Sequence, residues 1–307
     1  MSAELLKPPA LRPGATIGVA AISGPVDSEK LETGLASLRE KGYQVIEAAN
    51  LRRRSGFLAG TDEERAAAYR DLLRDPVVDA IFFARGGYGA ARVLARLEPE
   101  ESRRYPKIHL GGSDLTALFA FLHRHARMAT FYGPMVAVDM GERDGLDWEP
   151  ILRGATPARH VFAPSDVVAP GNGEGPLRGG CLSLLASLCG TPEAIDLRGA
   201  ILFWEDIGEP IYRIDRLLTQ LERSGTLADL QGMAIGSTPA GGPQETPEQI
   251  RQYLEDRFRG SPFPVAVGLP AGHLPRPRTL PLGPRVRLSL GDGGELTFLE
   301  TGLSVAR

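Results

Sequence analysis

KIHLGGSDLTALFAFL, residues 107–122, passes from a strand pattern to a helix pattern around two glycines. A short apolar run, Ile108–Leu110, comes first. After the glycines, apolar side chains recur at the three- and four-residue spacing of one helix face, at Leu115, Leu118, Phe119 and Leu122. The stretch therefore predicts a strand, a tight turn and a helix, with Ser113 on the turn.

Ser113 allows two interpretations. Gly111 and Gly112 permit a sharp turn before it, and the unpaired N–H groups at a helix start can bind a developing negative charge. That combination is typical of a nucleophile elbow, although GGSDL is not the G-x-S-x-G pattern. The alternative is that Ser113 or Asp114 only caps the helix, a preferred use of both residue types.

Strand and helix patterns alternate on both sides of this stretch. Apolar strand runs lie at 15–21, 43–47, 77–83 and 129–132, with helix patterns between them. The alternation predicts an α/β protein whose N-terminal parallel sheet is flanked by helices, flavodoxin- or Rossmann-like. Such sheets bind ligands at the carboxyl ends of their strands. Arg85–Gly89 also follows a strand, so we expect it to lie beside Ser113.

The second half of the chain predicts a separate α/β domain. Ile201–Trp204 is a strongly apolar strand, and two strands near 286–290 and 295–299 form a closing β-hairpin. Prolines, glycines and charges dominate the segment before this half. We therefore expect an N-terminal domain at 1–145, a crossover linker at 146–175 and a C-terminal domain at 176–307.

Composition excludes several classes of protein. The 307 residues are 42% apolar and 24% charged, with a net charge of −3, which argues against a nucleic-acid partner. No apolar run approaches the ~18–20 residues of a membrane span, and no secretory signal is seen. Cys181 and Cys189 are the two cysteines, too few for a disulfide scaffold. We expect a cytoplasmic protein with reduced thiols and no membrane association.

Cofactor chemistry finds little support in the sequence. No H-x-x-x-H or H-E-x-x-H pattern suggests a metal site, and no metal is expected. The turn after the first strand, Ser23-Gly24-Pro25, lacks the dinucleotide fingerprint, so a cofactor-dependent Rossmann enzyme is disfavoured. No cofactor is predicted.

A nucleophilic serine needs a base, and His273 is the best placed of the five histidines. It follows a strand and a Pro-Ala-Gly turn, and a proline-rich loop comes after it. His109 lies inside the strand before the elbow and is expected in the core. His123 and His125 lie about 15 Å along the helix from Ser113. His160 falls in the crossover segment.

The base in turn needs an orienting acid. Glu205 ends the strand at 201–204, and the next helix begins only at about Tyr212, which weakens a capping role for it. Asp206 is a rival for the same role. Tyr212 and Arg213 are candidates to hold either carboxylate.

The glycine-rich turn Arg85–Gly89 also has alternative uses. Its glycines resemble a phosphate cradle, but both G-x-G-x-x-G and a Walker lysine are missing. Alternatively, N–H groups of Gly86 or Gly87 join that of Asp114 in an oxyanion hole. Arg85 is a candidate for binding a substrate carboxylate, unless it only forms a surface salt bridge. Tyr88 beside it is a further candidate for substrate contact.

Four segments together resemble the LD-carboxypeptidases, serine peptidases that include murein tetrapeptide carboxypeptidase and the microcin-immunity peptidases. The likeness extends over most of the chain and is weakest in the crossover. The segments are RGGYG at 85–89, GSDLTAL at 112–118, LFWEDIGE at 202–209 with YRIDR at 212–216, and GLPAGH at 268–273 with TLPLG at 279–283.

The resemblance implies a Ser–His–Glu triad with Ser113 as nucleophile, His273 as general base and Glu205 as the residue that orients it. It also implies an oxyanion hole from the backbone N–H of Asp114 and of Gly86 or Gly87. The serine would lie on the N-terminal domain, the acid and the histidine on the C-terminal domain, and the site between them. A homodimer is implied as well.

Three positions depart from the family pattern. Gly112 stands where the family often has a bulkier residue, and Cys181 stands where asparagine is usual. The loop after His273 carries Arg276 and Arg278 and lacks the customary asparagine. All three departures concern the pocket and its specificity rather than the triad.

The resemblance implies hydrolysis of the L-to-D peptide bond before a C-terminal D-amino acid. The expected substrate is a murein tetrapeptide, which would lose D-alanine during peptidoglycan recycling. One alternative keeps the triad and cleaves a peptidyl-nucleotide antibiotic. Another is a non-catalytic two-domain binder of small ligands, which predicts that Ser113 and His273 lie far apart.

Overall fold

The computed structural model describes residues 4–141, 146–242 and 245–304. Within them, two β-sheets are covered and separated by helices. The strands are β1 (Thr16–Ala20), β2 (Gln44–Glu47), β3 (Ala80–Phe83), β4 (Ile108–Gly111), β5 (Thr130–Tyr132), β6 (His160–Phe162), β7 (Val167–Ala169), β8 (Gly171–Cys181), β9 (Ile201–Glu205), β10 (Gly232–Ile235), β11 (Val265–Ala266), β12 (Leu280–Leu282), β13 (Arg285–Gly291) and β14 (Gly293–Phe298).

Five of the nine helices in the described residues are short, and the other four are twelve or thirteen residues long. The helices are α1 (Ser28–Glu40), α2 (Asp62–Arg74), α3 (Ala90–Leu94), α4 (Pro99–Arg104), α5 (Thr116–Phe121), α6 (Trp148–Leu152), α7 (Leu182–Ser187), α8 (Ile211–Arg223) and α9 (Pro247–Phe258). The capping box that TDEE at 61–64 predicts is present at the start of α2. In the described residues no helix is long and apolar enough to cross a membrane.

The first sheet has the order β12-β5-β4-β3-β1-β2. Strands β1 to β5 are parallel, in the 2-1-3-4-5 order of flavodoxin-like folds. The predicted N-terminal parallel sheet flanked by helices is therefore confirmed. In this order the chain changes direction across the sheet between β1 and β3. The loops that follow these two strands leave the sheet at the crevice where such folds bind ligands.

The second sheet has the order β6-β14-β13-β8-β9-β10-β11-β7. Its centre, β8 to β11, is parallel, and the outer strands pair antiparallel. Val286 of β13 pairs with Phe298 of β14 in the predicted closing hairpin. The fold class is thus the expected α/β architecture with a second sheet.

Strand β12 belongs to the late part of the chain but joins the first sheet. It pairs antiparallel with β5, with Leu280 opposite Tyr132. The loop that carries His273 immediately precedes β12, so this pairing brings the loop to the end of β5. The two halves of the sequence are therefore joined by backbone hydrogen bonds as well as by packing.

The expected crossover at 146–175 contains regular structure. It includes α6, β6 and β7, and β8 begins within it at Gly171. The sequence did not predict the glycine-rich part of β8, because glycines carry no side chains whose polarity could alternate along a strand. They are needed for close approach: a Cβ on Gly173 would lie 1.8 Å from the carbonyl oxygen of Gln231. His160 accordingly lies on a strand and not in an irregular segment.

The helix after Ser113 is buried on every side instead of on one face. A 3₁₀ turn, Ser113–Leu115, leads into α5, and a π-helical turn, Leu122–Ala126, follows it. All six residues of α5 are buried because α3, α7 and β8 all contact this helix. The serine turn therefore lies between the two halves of the protein.

Candidate active site

Ser113 sits on the turn with a backbone conformation that glycine usually takes. Its φ angle is +58°, in the left-handed region that L-residues seldom adopt. The sequence predicted that the glycines before Ser113 would take up the strained turn, but the backbone of Gly112 is extended, with φ −155°. The glycines instead allow close packing, since a Cβ on Gly111 would lie 3.2 Å from that of Phe83. Strain at a single partly buried turn residue is common at functional sites.

Capping does not explain Ser113 or Asp114. Neither the 3₁₀ turn nor α5 has a side-chain cap hydrogen bond. The carboxylate of Asp114 turns away from its own helix and accepts hydrogen bonds from the hydroxyl of Ser23 at 2.6 Å and the N–H of Ala90 at 2.8 Å. Asp114 therefore ties the serine turn to the loops after β1 and β3, and its backbone N–H stays at the start of the turn.

Gly86 lies against the nucleophile candidate. A Cβ placed on Gly86 would be 2.8 Å from the Cβ of Ser113, 3.0 Å from its Oγ and 3.2 Å from the nitrogen of Asp114. Any side chain here would collide with the serine. The loop is held by Arg85, whose guanidinium donates to the carbonyl oxygens of Gly86 and Pro25 at 3.2 Å each.

The carboxylate of Glu205 is fully buried at the end of β9 and holds His273. Its Oε2 lies 2.7 Å from Nδ1 of His273 and accepts the backbone N–H of the same residue at 3.0 Å. A proton on Nδ1 therefore points at the carboxylate, which leaves Nε2 to accept a proton. Gly272 makes this possible, because a Cβ there would lie 2.4 Å from Oε2 of Glu205.

The electrostatics of the pair favour a charged imidazole. Burial lowers the pKa of His273, but the hydrogen bond and the charge of Glu205, with the charges of Asp206 and Asp139, outweigh burial and raise the pKa above its ordinary value. A histidine with this environment is a stronger base than a free imidazole.

Asp206 does not compete for the histidine. Its two oxygens accept the N–H groups of Ser183 at 2.7 Å and Ile207 at 2.8 Å, so it serves the start of α7 and its own loop. The expectation that Tyr212 or Arg213 holds these carboxylates is wrong. Tyr212 is exposed, and the guanidinium of Arg213 lies 3.6 Å from the carboxylate of Glu209.

Tyr132 holds the carboxylate instead, and sequence reasoning missed it. Its phenol donates to Oε1 of Glu205 at 2.6 Å and accepts the N–H of Ser113 at 2.8 Å. Burial and then the charge of Glu205 raise the pKa of Tyr132 well above its ordinary value, so the phenol stays protonated. Its place at the carboxyl end of β5, next to β4, was the signal available in the sequence.

A cavity of about 300 Å³ opens over these groups. Ser113, Tyr132 and His273 line it, and Asp139 adds a buried carboxylate. The remaining lining is mostly apolar: Met135, Val138, Ile207, Leu274, Pro275 and Pro277. The volume and the mixture of apolar walls with a few polar groups fit a small-molecule site.

The other candidates lie outside this lining. Arg85 is committed to the backbone contacts described above, and Tyr88 is exposed and packs on Phe57 with ring centroids 5.7 Å apart. Gly87 is also exposed, with φ +109°, and packs on Gly24. The roles of Arg85 and Tyr88 in binding substrate remain predictions.

Two of the three departures from the family pattern, Gly112 and Cys181, lie close to the serine. Gly112 has little spare room, since a Cβ there would lie 3.3 Å from the carbonyl oxygen of Gly133. The N–H of Cys181 donates to Oγ1 of Thr116, which donates to the carbonyl oxygen of Ser113. Burial raises the pKa of the Cys181 thiol, which keeps it protonated. Arg278 reaches the carbonyl oxygen of Ala158, away from the triad candidates.

His109 is a core residue, as expected. It is fully buried, its Nε2 lies 2.8 Å from the phenol oxygen of Tyr69, and its Nδ1 lies 2.9 Å from the carbonyl oxygen of Lys107. Burial lowers its pKa to about 4, so it is neutral near pH 7. Over 4–141, 146–242 and 245–304, no group of three or more His, Cys, Asp or Glu side chains is placed to hold a metal ion.

Several known proteins are similar to this chain in sequence and in fold. A protein of Bacillus subtilis named probable murein peptide carboxypeptidase is 36% identical over 311 residues, covering 97% of this chain and 95% of its own. The microcin C7 self-immunity protein MccF of Escherichia coli is 26% identical and covers 96% of both chains. The structure of muramoyltetrapeptide carboxypeptidase from Oxalobacter formigenes matches with a TM-score of 0.82 at 28% identity, covering 92% of this chain and 98% of that one.

Family models give the same result for both halves of the chain. The LD-carboxypeptidase N-terminal domain matches residues 17–133, which include the serine turn. The LD-carboxypeptidase C-terminal domain matches residues 174–288, which include Glu205 and His273. The resemblance noted in the sequence is thereby confirmed, and the chain belongs to the LD-carboxypeptidase family of peptidases.

Proposed function

We propose that this protein is a serine-type LD-carboxypeptidase that cleaves the L-to-D peptide bond before a C-terminal D-amino acid. One observation carries the proposal. His273, which is hydrogen-bonded to the buried carboxylate of Glu205, lines the same cavity as Ser113, which sits in a strained turn. The alternative of a non-catalytic binder required the serine and the histidine to lie far apart, and their shared cavity counts against it.

In the proposed reaction, Oγ of Ser113 attacks the scissile carbonyl carbon while Nε2 of His273 takes the serine proton. Glu205 keeps Nδ1 protonated and stabilises the imidazolium. The histidine then returns the proton to the leaving amine as the peptide bond breaks, which releases the D-amino acid. Water attacks the acyl-enzyme by the same base catalysis and frees the shortened peptide.

Backbone N–H groups would stabilise the oxyanion of each tetrahedral intermediate. Asp114 is one donor, and Gly86 or Gly87 is the other. The N–H of Ser113 itself is already bonded to Tyr132, so it is a poor candidate. The closeness of Gly86 to both Ser113 and the nitrogen of Asp114 supports this arrangement.

The substrate class comes from the relatives. The B. subtilis and O. formigenes proteins carry the names of carboxypeptidases of murein peptides. We therefore propose that the substrate is a murein tetrapeptide, which would lose its terminal D-alanine. We further propose that the protein acts as a homodimer in the cytoplasm and serves the recycling of peptidoglycan. The E. coli relative favours a second candidate, a peptidyl-nucleotide antibiotic cleaved by the same groups.

The test is a mass-spectrometric assay of the purified chain on a panel of cell-wall peptides. The panel contains tetrapeptides ending in D- or L-alanine, the tripeptide product and an aminoacyl-nucleotide sulfamate. We expect loss of D-alanine from the tetrapeptide and about a 10⁶-fold lower kcat in Ser113→Ala, since removal of a triad nucleophile has that effect.

The panel separates the two substrates and tests the reaction class. Turnover of the nucleotide compound with no turnover of the tetrapeptide would support the second candidate. Turnover by Ser113→Ala at the wild-type rate would refute the serine mechanism, provided that the circular dichroism spectra of the two proteins agree.

A further inference from the structure

Arg65, on α2, is a fully buried cation that the proposed reaction does not use. Its guanidinium nitrogen Nη1 donates to the carbonyl oxygen of Ile22 and, at 2.8 Å, to that of Gly89. Ile22 lies in the loop after β1, and Gly89 ends the glycine-rich turn after β3. One buried side chain therefore joins the two loops that leave the sheet at the crevice where flavodoxin-like folds bind ligands.

Asp114 joins the same two loops from the side of the serine turn. Its Oδ2 accepts the hydroxyl of Ser23 at 2.6 Å and the backbone N–H of Ala90 at 2.8 Å. Each of these residues is the chain neighbour of one that Arg65 binds. Two buried groups of opposite charge therefore hold adjacent positions in both loops. We call these four hydrogen bonds the loop clamp.

The two charges of the loop clamp also act on each other. Asp114 is 1% exposed, and burial raises the pKa of its carboxyl group. The hydrogen bonds from Ser23 and Ala90 and the positive charge of Arg65 oppose that rise. A buried charge that loses its compensating partner is strongly destabilised. Removal of Arg65 should therefore disturb Asp114 as well as the loops.

The other end of the Arg65 guanidinium is fixed by an acid. Its Nη2 donates to Oδ1 of Asp62 at 2.5 Å. The second carboxylate oxygen of Asp62 accepts from Arg92 at 3.0 and 3.1 Å, which holds the acid in turn. The planar guanidinium reaches three acceptors at once, a geometry that the compact ammonium group of lysine does not reproduce.

The loop clamp lies beside the groups proposed for the oxyanion hole. The glycine-rich turn that it holds includes Gly86, where a Cβ would lie 3.0 Å from Oγ of Ser113. Asp114 carries both the clamping carboxylate and the other proposed N–H donor. The turn fits Arg65 closely, since a Cβ on Gly89 would lie 2.9 Å from Nη1. Donors stabilise an oxyanion only when they are held at hydrogen-bond distance from it.

We propose that Arg65 is a positioning residue for the oxyanion hole. Through the loop clamp it sets the distance between the N–H groups of the glycine-rich turn and the N–H of Asp114. The inference rests on the proposed function, because the oxyanion forms only in that reaction. Arg65 contacts no substrate and transfers no proton in this account. It should therefore act on the transition state and leave substrate binding and the pKa of His273 unchanged.

Arg65→Met tests the proposal in the peptide assay. We expect kcat to fall about 10²-fold, the effect of misplacing an oxyanion donor, while KM changes little. The acidic limb of the kcat/KM profile should stay at the wild-type pH, because the base is untouched. Arg65→Lys keeps the charge without the planar fork and should restore part of kcat.

Lys107→Met is the matched control for the loss of a buried cation. The ammonium group of Lys107 also donates to two backbone carbonyl oxygens, those of Asp75 and Val78, which lie outside the loop clamp. This variant should lose stability in urea unfolding but keep the wild-type kcat.

Amide hydrogen exchange, read by mass spectrometry, tests the clamp without peptide turnover. Arg65→Met should exchange faster than the wild type in residues 21–24 and 84–90, because local opening of these loops becomes easier. Ser23→Ala removes one hydrogen bond of the clamp and is a smaller change that should fold even if Arg65→Met does not. It should show the same faster exchange and a smaller fall in kcat. Lys107→Met should exchange in both segments as the wild type does.

Three outcomes would overturn the proposal. The first is wild-type exchange of both segments in Arg65→Met and Ser23→Ala. The second is a fall in kcat that follows the loss of stability equally in Arg65→Met and Lys107→Met, which would leave Arg65 with a structural role only. The third is a raised KM or a shifted acidic limb with kcat unchanged. A wild-type chain that cleaves no peptide of the panel would instead refute the proposed function, while hydrogen exchange would still show whether Arg65 holds the loops.

Discussion

The first sheet and the second sheet hold their parts of the candidate site by different means. The first sheet positions Ser113 through backbone geometry, with a left-handed φ and with Gly86 packed against the serine. The second sheet positions His273 through a buried charge, the carboxylate of Glu205. Backbone geometry fixes a position, and a buried charge tunes the pKa of a base. Tyr132 joins the two by bonding to Ser113 and Glu205.

Their histidines make the same contrast. His109, on β4 of the first sheet, is fully buried with uncharged partners, and burial lowers its pKa to about 4. His273, beside the second sheet, contacts a carboxylate that raises its pKa. One residue type thus serves as a neutral core group in one half and as a candidate base in the other. The four variants below separate these effects, from the largest to the smallest.

Glu205→Gln removes the buried charge and should lower kcat by about 10⁴-fold. The amide donates toward Nδ1 of His273 and so favours the wrong tautomer. Activity requires a neutral imidazole, and Glu205 raises its pKa, so the acidic limb of the kcat/KM profile should move to lower pH. Glu209→Gln, four residues along the chain, serves as the control. An acidic limb that stays in place would show that Glu205 does not act on the base.

Gly86→Ala tests the backbone half of the comparison. The new Cβ would lie 2.8 Å from that of Ser113 and 3.0 Å from its Oγ, so the serine must shift. A displacement of this kind should lower kcat/KM by about 10²-fold. Gly291→Ala is the matched control, because a Cβ there meets no atom within 4 Å. Equal activity of both variants in the peptide assay would contradict the assigned packing.

Tyr132→Phe breaks the link between the two halves. It leaves the N–H of Ser113 and Oε1 of Glu205 without their bond to the phenol, which should cost about 1–3 kcal/mol of unfolding free energy. We expect about a tenfold fall in kcat/KM, since about 1.4 kcal/mol of lost transition-state stabilisation has that effect.

Tyr69→Phe is the control for the loss of a buried phenol, because Tyr69 bonds to His109 and lies outside the serine cavity. It should lose stability in urea unfolding but keep kcat/KM. If both tyrosine variants lose activity in proportion to their stability, Tyr132 has only a structural role.

His109→Gln should leave activity unchanged and reduce the pH dependence of the unfolding free energy. The folded pKa of about 4 lies below the unfolded value of about 6.5, so protonation favours the unfolded chain as the pH falls between them. The contribution to unfolding free energy is at most about 1.4 kcal/mol per pH unit. Urea unfolding at pH 7 and pH 4.5 should show a shallower loss in the variant. An identical loss in both proteins would contradict the neutral core histidine.

Much of the architecture could be read from the sequence because its cause is local. Apolar periodicity and the capping box at 61–64 predicted the strands of the first sheet and the helices beside it. The alternation of these elements predicted that the strands are parallel. The contact between Glu205 and His273 is the one that the family resemblance implied; the residues alone had left Asp206 as a rival.

The features that the sequence did not predict depend on contacts between segments that are distant along the chain. The bond from Tyr132 to Glu205 joins two sheets, and no local pattern specifies it. The left-handed φ falls on Ser113 and not on Gly111 or Gly112, which pack closely against Phe83 and Gly133, and no local pattern distinguishes these positions. Strand β8 was hidden because close backbone contacts require glycine at several of its positions.

Strand β12 has a consequence for synthesis on the ribosome. The first sheet lacks one edge until residues 280–282 have emerged, long after β5 has been made. Until then β5 presents unpaired backbone groups, a template for association with other chains. We therefore expect a fragment that stops at residue 145 to aggregate, and the nascent chain to need protection until the strand that follows the His273 loop arrives. Completion of the sheet and delivery of the candidate base are thus the same late event.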